Sequence, residues 1–210
     1  MVEGLVCAAV LALLVFLILP AGRGSNVKSS RISCVNHLKQ IGLAFRMWSN
    51  DHGEKFPWDV AASATNGPGT KEFAGSGEVW RHFLAISNEL NTPKVLACPT
   101  DRERTRVTNF AALKNDHISY FIGLSADETK PQTILSGDRN VAAQGNLLRG
   151  VVALSAGATW EWTSSIHQGQ GNLALADGSV SQATKVQLNK QIESAFLSTT
   201  QSVFRFVFPQ

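Results

Sequence analysis

Residues 32–57 read ISCVNHLKQIGLAFRMWSNDHGEKFP, and this stretch decides the fold of the N-terminal part of the chain. Apolar side chains recur there every three or four positions, which is the spacing of one face of an amphipathic helix. Gly53 suits the left-handed conformation that ends a helix, and Pro57 prevents the helix from resuming. The sequence therefore predicts a helix that buries one stripe of side chains, namely Ile32, Val35, Leu38, Ile41, Phe45 and Trp48.

A second apolar segment stands at the start of the chain, where residues 1–20 read MVEGLVCAAVLALLVFLILP and Glu3 is the only charged residue. From Leu5 to Leu19 there is no charge, and a helix of that length spans about 22 Å, less than the ~30 Å of a bilayer core. A cleaved secretory signal stays open as an alternative, although no Lys or Arg precedes the apolar run. Together with residues 32–57, the pattern predicts one bent N-terminal helix from about residue 3 to residue 52.

The rest of the chain is typical of an α+β domain with short strands. Asp177-Gly178 lies between two apolar runs and predicts the two-residue turn of a β-hairpin, which favours an antiparallel sheet. Residues 186–197 have helical spacing. The terminal run VFRFVF, residues 203–208, predicts a strand at the edge of the sheet.

Composition and motifs exclude several classes of function. The chain has 210 residues, 17% of them charged, and a net charge of +3, which is weaker and less clustered than a nucleic-acid surface requires. It contains no HExxH pair, no nucleophile elbow and no glycine-rich phosphate loop before a helix. We therefore expect no cofactor, no metal and no enzymatic activity. The histidines that lack the spacing of metal ligands are His37, His52, His82 and His117.

One further motif has two interpretations. His167 is followed by nine residues and then by Asp177-Gly178, in HQGQGNLALADG. Either the two side chains form a catalytic or metal-binding pair, or Asp177 makes the turn while His167 hydrogen-bonds at the start of the strand. A strand between them would hold the two side chains apart, which favours the structural interpretation.

His167, Asp177 and Gly178, the apolar N-terminus and residues 32–57 together resemble one group of bacterial proteins. These are the type IV pilin-like and type II secretion pseudopilin-like proteins that carry a prepilin-type H-X9-DG domain. The resemblance implies an α+β, pilin-like fold, in which a long N-terminal helix, apolar in its first half, packs on a small antiparallel β-sheet head. It divides the chain into a transmembrane and assembly half of the helix (1–22), an amphipathic half (23–53) and a globular head (54–210).

The resemblance also implies a function, which is that of a structural subunit in a type II secretion or type IV pilus-like assembly. Such subunits are single-pass proteins of the bacterial inner membrane before they polymerise, with the head in the periplasm or outside the cell. Their partners are copies of themselves, related pseudopilins and the assembly machinery, and no nucleic acid is expected.

The N-terminus carries the residues that the family uses in assembly. An acid near the mature N-terminus pairs with the N-terminal amine of the neighbouring subunit in this family, a role that falls on Glu3. A proline commonly follows seventeen positions later, as Pro20 does here. On this alignment, two mature residues and a basic leader are expected before Met1, and the processed N-terminus would be methylated.

Two other functions stay open. A membrane-anchored binding module outside the cytoplasm would use the same scaffold without polymerising, and Gly4, where the family prefers a larger apolar residue, is compatible with it. An anchored hydrolase would use His167 and Asp177, and the lack of a nucleophile or a metal cluster counts against it.

The resemblance bears on the cysteines and on one acidic loop as well. Many relatives have cysteines at the positions of Cys34 and Cys98, and an oxidising compartment favours a disulfide between them, with Cys7 free in the apolar segment. Some relatives hold calcium in a loop of the head, but residues 126–140, ADETKPQTILSGDRN, contain no EF-hand pattern. The weak candidates for calcium ligands are Asp127, Glu128 and Asp138, for which ordinary solvated acids are the alternative.

Overall fold

The computed structural model describes residues 2–18, 25–62 and 69–210. Within these ranges the chain forms five α-helices and nine β-strands, joined by turns and short 3-10 helices. The helices are α1 (Val2–Ile18), α2 (Ser25–Asp51), α3 (Val79–Ala85), α4 (Ser87–Leu90) and α5 (Lys185–Leu197). The strands are β1 (Tyr120–Gly123), β2 (Ile134–Asp138), β3 (Val141–Ala143), β4 (Asn146–Leu147), β5 (Gly150–Ser155), β6 (Glu161–Trp162), β7 (Gly171–Leu175), β8 (Val180–Ala183) and β9 (Val203–Phe208).

Six of these strands form one antiparallel sheet in the order β5–β9–β1–β2–β7–β8, and β4–β3–β6 form a smaller antiparallel sheet. β9 pairs with β5 along its whole length, from Gly150↔Phe208 to Ser155↔Val203, and with β1 on its other side. The prediction of an edge strand over residues 203–208 is therefore wrong. Alternating apolar residues indicate a strand, but they do not distinguish an edge position from one between two other strands.

α2 buries one side against the large sheet. Leu38, Ile41, Phe45 and Trp48 are each at most 1% exposed, whereas Ile32, at the start of the predicted stripe, is 56% exposed. The four buried residues belong to a core cluster that also contains side chains of β1, β7 and β9. Since burying one such side chain stabilises a fold by about 1.5–3 kcal/mol, this contact fixes the position of α2 on the sheet.

The opposite face of the large sheet is covered as well. In β1, Tyr120 and Ile122 belong to the cluster on the α2 side and Phe121 to a second cluster that includes residues of α5, as the alternation of side chains along a strand requires. The second cluster is rich in aromatic rings, and Phe121 packs against Phe206 and Phe208 with ring centroids 5.8 and 4.8 Å apart. The central strands are thus buried on both faces.

The predicted pilin-like fold, with one long N-terminal helix that is apolar in its first half, is wrong. The N-terminal part contains α1, of 17 residues, and α2, of 27 residues, and Pro20 lies outside the described residues. α2 is the long helix of the described ranges, and it is amphipathic rather than apolar, because the side opposite the sheet exposes residues such as Lys39 and Gln40. No helix in residues 2–18, 25–62 or 69–210 has both the length and the apolar character needed to cross a membrane.

Gly123, at the end of β1, has no room for a side chain. A Cβ atom there would lie 1.9 Å from the Ile134 carbonyl oxygen, in the part of β2 where its register with β7 shifts. We expect Gly123→Ala to lower the free energy of unfolding by about 1–3 kcal/mol or more, measured by chemical denaturation. Gly75→Ala is the matched control, because a Cβ at Gly75 meets nothing within 4 Å. Equal losses in the two variants would contradict this packing.

Candidate functional site

His167 lies at the centre of a buried polar cluster, in the turn before β7, and is 7% exposed. His167, Gln168 and Gly169 have consecutive positive φ angles of 54°, 57° and 78°. Residues other than glycine rarely adopt this left-handed conformation, so two of the three contribute some backbone strain. The turn directs the His167 imidazole into the head, where the imidazole has three polar neighbours.

Those neighbours are Cys98, Asp138 and Thr100. Nε2 of His167 lies 3.5 Å from Cys98 Sγ and 3.5 Å from Asp138 Oδ2. Its Nδ1 lies 3.4 Å from Thr100 Oγ1, which is itself 3.1 Å from Cys98 Sγ. Cys98 forms a disulfide with Cys34 of α2, and their Cα atoms are 5.5 Å apart. The disulfide therefore ties α2 to the chain before β1, and His167 lies against it.

Asp138, at the end of β2, is fully buried beside His167. Its Oδ2 accepts hydrogen bonds from the backbone N and from Nδ2 of Asn172, at 2.7 and 2.8 Å. Burial raises the pKa of Asp138 to about 7, against the opposing effect of these hydrogen bonds. Burial, followed by the charge of Arg31, lowers the pKa of His167 to about 4. At a pH between these two pKa values both side chains are uncharged, so the contact between His167 and Asp138 is not an ion pair there.

A group of ion pairs adjoins this cluster, because Arg139 directly follows Asp138 in the sequence. Arg139 donates through Nε to Asp101 Oδ2 at 2.7 Å and through Nη2 to Asp101 Oδ1 at 2.8 Å. Nη2 also donates to Glu103 Oε2 at 2.7 Å. A buried charge pair needs such complete hydrogen bonding to be tolerated. The pair holds the segment around Asp101 against the end of β2, and this places Thr100 beside His167.

Asp177 lies elsewhere, in the turn between β7 and β8. Its Oδ1 accepts a hydrogen bond from Ser179 N at 2.8 Å, and its carbonyl oxygen accepts one from Arg46 Nη1 at 2.8 Å. Gly178 supplies the positive φ of 84° that the turn requires. β7, which separates His167 from Asp177, is five residues long and spans about 17 Å. The structure does not bring the two motif residues together.

The candidate calcium ligands Asp127, Glu128 and Asp138 are not brought together either. Glu128 accepts a hydrogen bond from Arg46 Nε at 3.2 Å, and Asp127 Oδ1 accepts two from Thr129. Asp138 lies in the polar cluster. In the part of the chain that the structure describes, the side chains close enough together to hold a metal ion are those of Cys34, Cys98 and His167.

Glu3 and Cys7 both lie on α1 and are exposed, and Cys7 is a free thiol. Neither side chain approaches the polar cluster in any described contact. The assembly residue inferred from the resemblance is thus separate from the buried cluster of the head.

Sequence reasoning did not find most of this cluster. It placed Asp138 in or beside a loop, as a calcium candidate or a solvated acid, and did not single out Thr100 or Asn172. One usable signal was present, since Asp138 and Arg139 directly follow a short apolar run, and polar groups inside a buried strand need hydrogen-bond partners. Which partners they find depends on strand pairing that the sequence alone does not specify.

Comparison of the chain with protein-family models, characterised proteins and solved structures finds no match. Its function is therefore inferred from its own contacts and from its sequence motifs.

Asp177→Ala should destabilise the β7–β8 turn more than Asp177→Asn. Asparagine keeps a side-chain oxygen that accepts from Ser179 N and suits the position before glycine, whereas alanine removes the acceptor. We expect thermal melts of the purified chain to show a loss of stability of about 1 kcal/mol for the alanine variant and a smaller loss for the asparagine variant. Equal losses of stability in the two variants would contradict a role of the Asp177 side-chain oxygen in the turn.

Acidification should destabilise the head, chiefly through His82. Burial lowers the pKa of His82 from 6.5 to about 4, so between these values the unfolded chain binds a proton that the folded chain does not. The resulting stability is lost as the pH falls. His167 acts in the same direction, while Asp138, with its raised pKa of about 7, acts in the opposite one over nearly the same interval. The contributions of those two largely cancel.

We therefore expect the free energy of unfolding to fall by about 2 kcal/mol as the pH is lowered from roughly 6.5 to 5. His82→Gln should flatten this dependence, whereas Asp138→Asn, which removes the opposing carboxyl, should steepen it. Urea denaturation across this pH range measures both slopes. Unchanged slopes in both variants would contradict the assignment of these groups.

Proposed function

We propose that this chain is a structural, non-enzymatic subunit of a pseudopilin-like assembly, of the type II secretion or type IV pilus kind. α1 would be the element through which one copy associates with the next. This role requires an exposed apolar surface on α1, and that surface is the single observation that carries the proposal.

α1 has no polar side. After Glu3 it contains no charged residue as far as Ile18, and its side chains described at positions 2–4 and 6–15 are all exposed. Apolar surface left in water costs about 25 cal/mol per Å² relative to burial, and a helix that is apolar all round is normally buried in its functional state. Other copies of α1 would cover it. The large apolar side chains, 49–76% exposed, are Val2, Val6, Val10, Leu11, Leu13, Leu14 and Val15.

Glu3 would give such an association its register. A carboxylate at an apolar helix interface is costly unless it has a partner of opposite charge. In an assembly of parallel copies, the N-terminal amine of a neighbour is the cation closest at hand, and pairing with it would fix how far one helix is displaced along the next.

The head is consistent with a structural role. His167 lies against a disulfide and a buried, uncharged Asp138, while Asp177 accepts a hydrogen bond within the turn at the other end of β7. In neither place does the described geometry pair a nucleophile with a base. The head would serve as a rigid unit held by α2.

The disulfide supports a location outside the cytoplasm. Disulfides persist in oxidising compartments and are rare where cellular thiols are kept reduced. We therefore propose that the chain acts at the bacterial inner membrane, with the head in the periplasm or outside the cell, as the resemblance to pseudopilin-like proteins implies. Its partners would be copies of itself, related pseudopilins and the assembly machinery.

One observation favours a second candidate, the anchored binding module that does not polymerise. A cavity of about 740 Å³ opens between α5 and the segment before β6, and its lining includes Val186, Ile192, Phe196 and Leu197. Clefts of this size and apolar character are common in small-molecule sites. Both candidates use α1 for attachment, but only the first requires contact between copies.

Thiol cross-linking of α1 distinguishes the two candidates. Cys7 is an exposed free thiol, whereas Cys34 and Cys98 are joined, so a bifunctional maleimide applied to native membranes reacts at α1. We expect covalent dimers that survive reduction, absent in Cys7→Ser. Cysteines placed singly at Val6, Val10 and Leu13 in the Cys7→Ser chain test the other sides of the helix, with yields that follow its 3.6-residue period.

Glu3→Gln should lower the dimer yield several-fold in the same membranes, because it removes the charge while keeping the size of the side chain. Glu54→Gln, a matched change in the head, should leave the yield unchanged. Only monomers at every cysteine position would overturn the assembly proposal and favour the anchored module.

A further inference from the structure

We propose that the reduced chain binds a zinc ion through Cys34, Cys98 and His167, where the oxidised chain has its disulfide, with the carboxylate of Asp138 as an outer partner beside the histidine. The two Sγ atoms and the imidazole nitrogen lie within 4.8 Å of one another, and all three residues are buried. Thiolate and imidazole are the ligands that zinc most often takes in proteins. Cys98 lies 64 residues from Cys34 and 69 from His167, which is why the sequence spacing predicted no metal site.

The distance between two of the ligands fits the edge of a tetrahedral zinc site. With Zn–S bonds of ~2.3 Å and Zn–N or Zn–O bonds of ~2.0–2.2 Å, neighbouring ligand atoms of a tetrahedron are about 3.4–3.8 Å apart. His167 Nε2 lies 3.5 Å from Cys98 Sγ and 3.5 Å from Asp138 Oδ2. The edge between His167 Nε2 and Cys98 Sγ is therefore already at the required length, and a water molecule would complete the tetrahedron.

The sulfur–sulfur edge forms on reduction. A dithiol reductant supplies two electrons and two protons, the S–S bond breaks to give two thiols, and the reductant becomes a disulfide. Zinc then displaces the two protons and binds the two thiolates. With Cα atoms 5.5 Å apart, rotation about the Cα–Cβ bonds of Cys34 and Cys98 is enough to separate the sulfurs to about 3.8 Å. Oxidation reverses the process and expels the ion, so the disulfide and the metal exclude each other.

The groups behind these ligands resemble the outer shell of a metal site. Asn172 fixes the Asp138 carboxylate through two hydrogen bonds to Oδ2, while Oδ1 is buried and has no hydrogen-bond partner among the described residues. A cation bound to the neighbouring imidazole would stabilise the ionised form of this carboxylate. Thr100 Oγ1 lies 3.4 Å from His167 Nδ1 and 3.1 Å from Cys98 Sγ, so one hydroxyl contacts two of the proposed ligands as an outer partner.

The cluster also has a route to solvent. A surface cavity of about 350 Å³ is lined by Thr100, Arg102, His167 and Gln168 among other residues. His167 and Thr100 form its inner end, since both contact Cys98. An ion or a small reductant in this cavity is therefore separated from the sulfur by one side chain.

Cobalt binding to the full chain tests the site, in a Cys7→Ser background that leaves only Cys34 and Cys98 as thiols. After reduction with a phosphine, Co²⁺ should bind at one ion per chain and show the thiolate-to-cobalt absorption and intense visible bands of tetrahedral coordination. Zn²⁺ should abolish these bands at one equivalent. The oxidised chain should show none.

His167→Ala and Asp138→Asn should each weaken cobalt binding at least about tenfold, the loss seen when even an outer partner of a ligand is removed. His117→Ala is the matched control and should bind as the parent does. No thiolate bands in the reduced parent chain would overturn the proposal whether or not the variants fold. So would equal affinity in the parent, His167→Ala and Asp138→Asn, or equal binding by the oxidised chain.

Discussion

The packing of α2 on one face of the six-stranded sheet is the contact on which the rest of the head depends. Apolar side chains such as Phe45 and Trp48 form its centre, and a tether lies toward each end of the helix. At one end Cys34 is joined to Cys98, and a closed loop of that length stabilises by about 4 kcal/mol in the chain-entropy model. At the other end Arg46 donates to the Asp177 carbonyl oxygen and braces the β7–β8 turn.

The polar cluster follows from this packing. The large sheet is covered on both faces, so polar residues at the ends of its strands lie in the interior and need partners there. Asn172 provides two hydrogen bonds for Asp138, and Asp101 forms a bidentate pair with Arg139. The contact of Asp138 with His167 is of another kind, since burial favours the uncharged form of both groups. The uncharged pair avoids the burial of two charges, and in the proposed zinc site the imidazole nitrogen beside the disulfide would ligate the ion when the sulfurs separate.

α1 differs from the head in the burial of its side chains. The head buries its apolar side chains in two clusters and pairs most of its buried polar groups, whereas the described side chains of α1 are exposed. The hydrophobic effect acts on this surface as it does on a core, so a surface of this composition favours burial against another molecule. In the proposed function, α1 is therefore the region of contact and the head is a rigid unit attached to it.

Local pattern by itself determined the buried stripe of α2 from Leu38 to Trp48, the turn at Asp177-Gly178 and the apolar nature of α1, because each of these depends on residues a few positions apart. Only the tertiary structure decided that β9 lies inside the sheet, and that His167 contacts Cys98 and Asp138 rather than Asp177. Those outcomes depend on which strands pair and on contacts between residues far apart in the chain, 69 positions in the case of His167 and Cys98. Periodicity reports that a face is buried, but it contains no information on what that face is buried against.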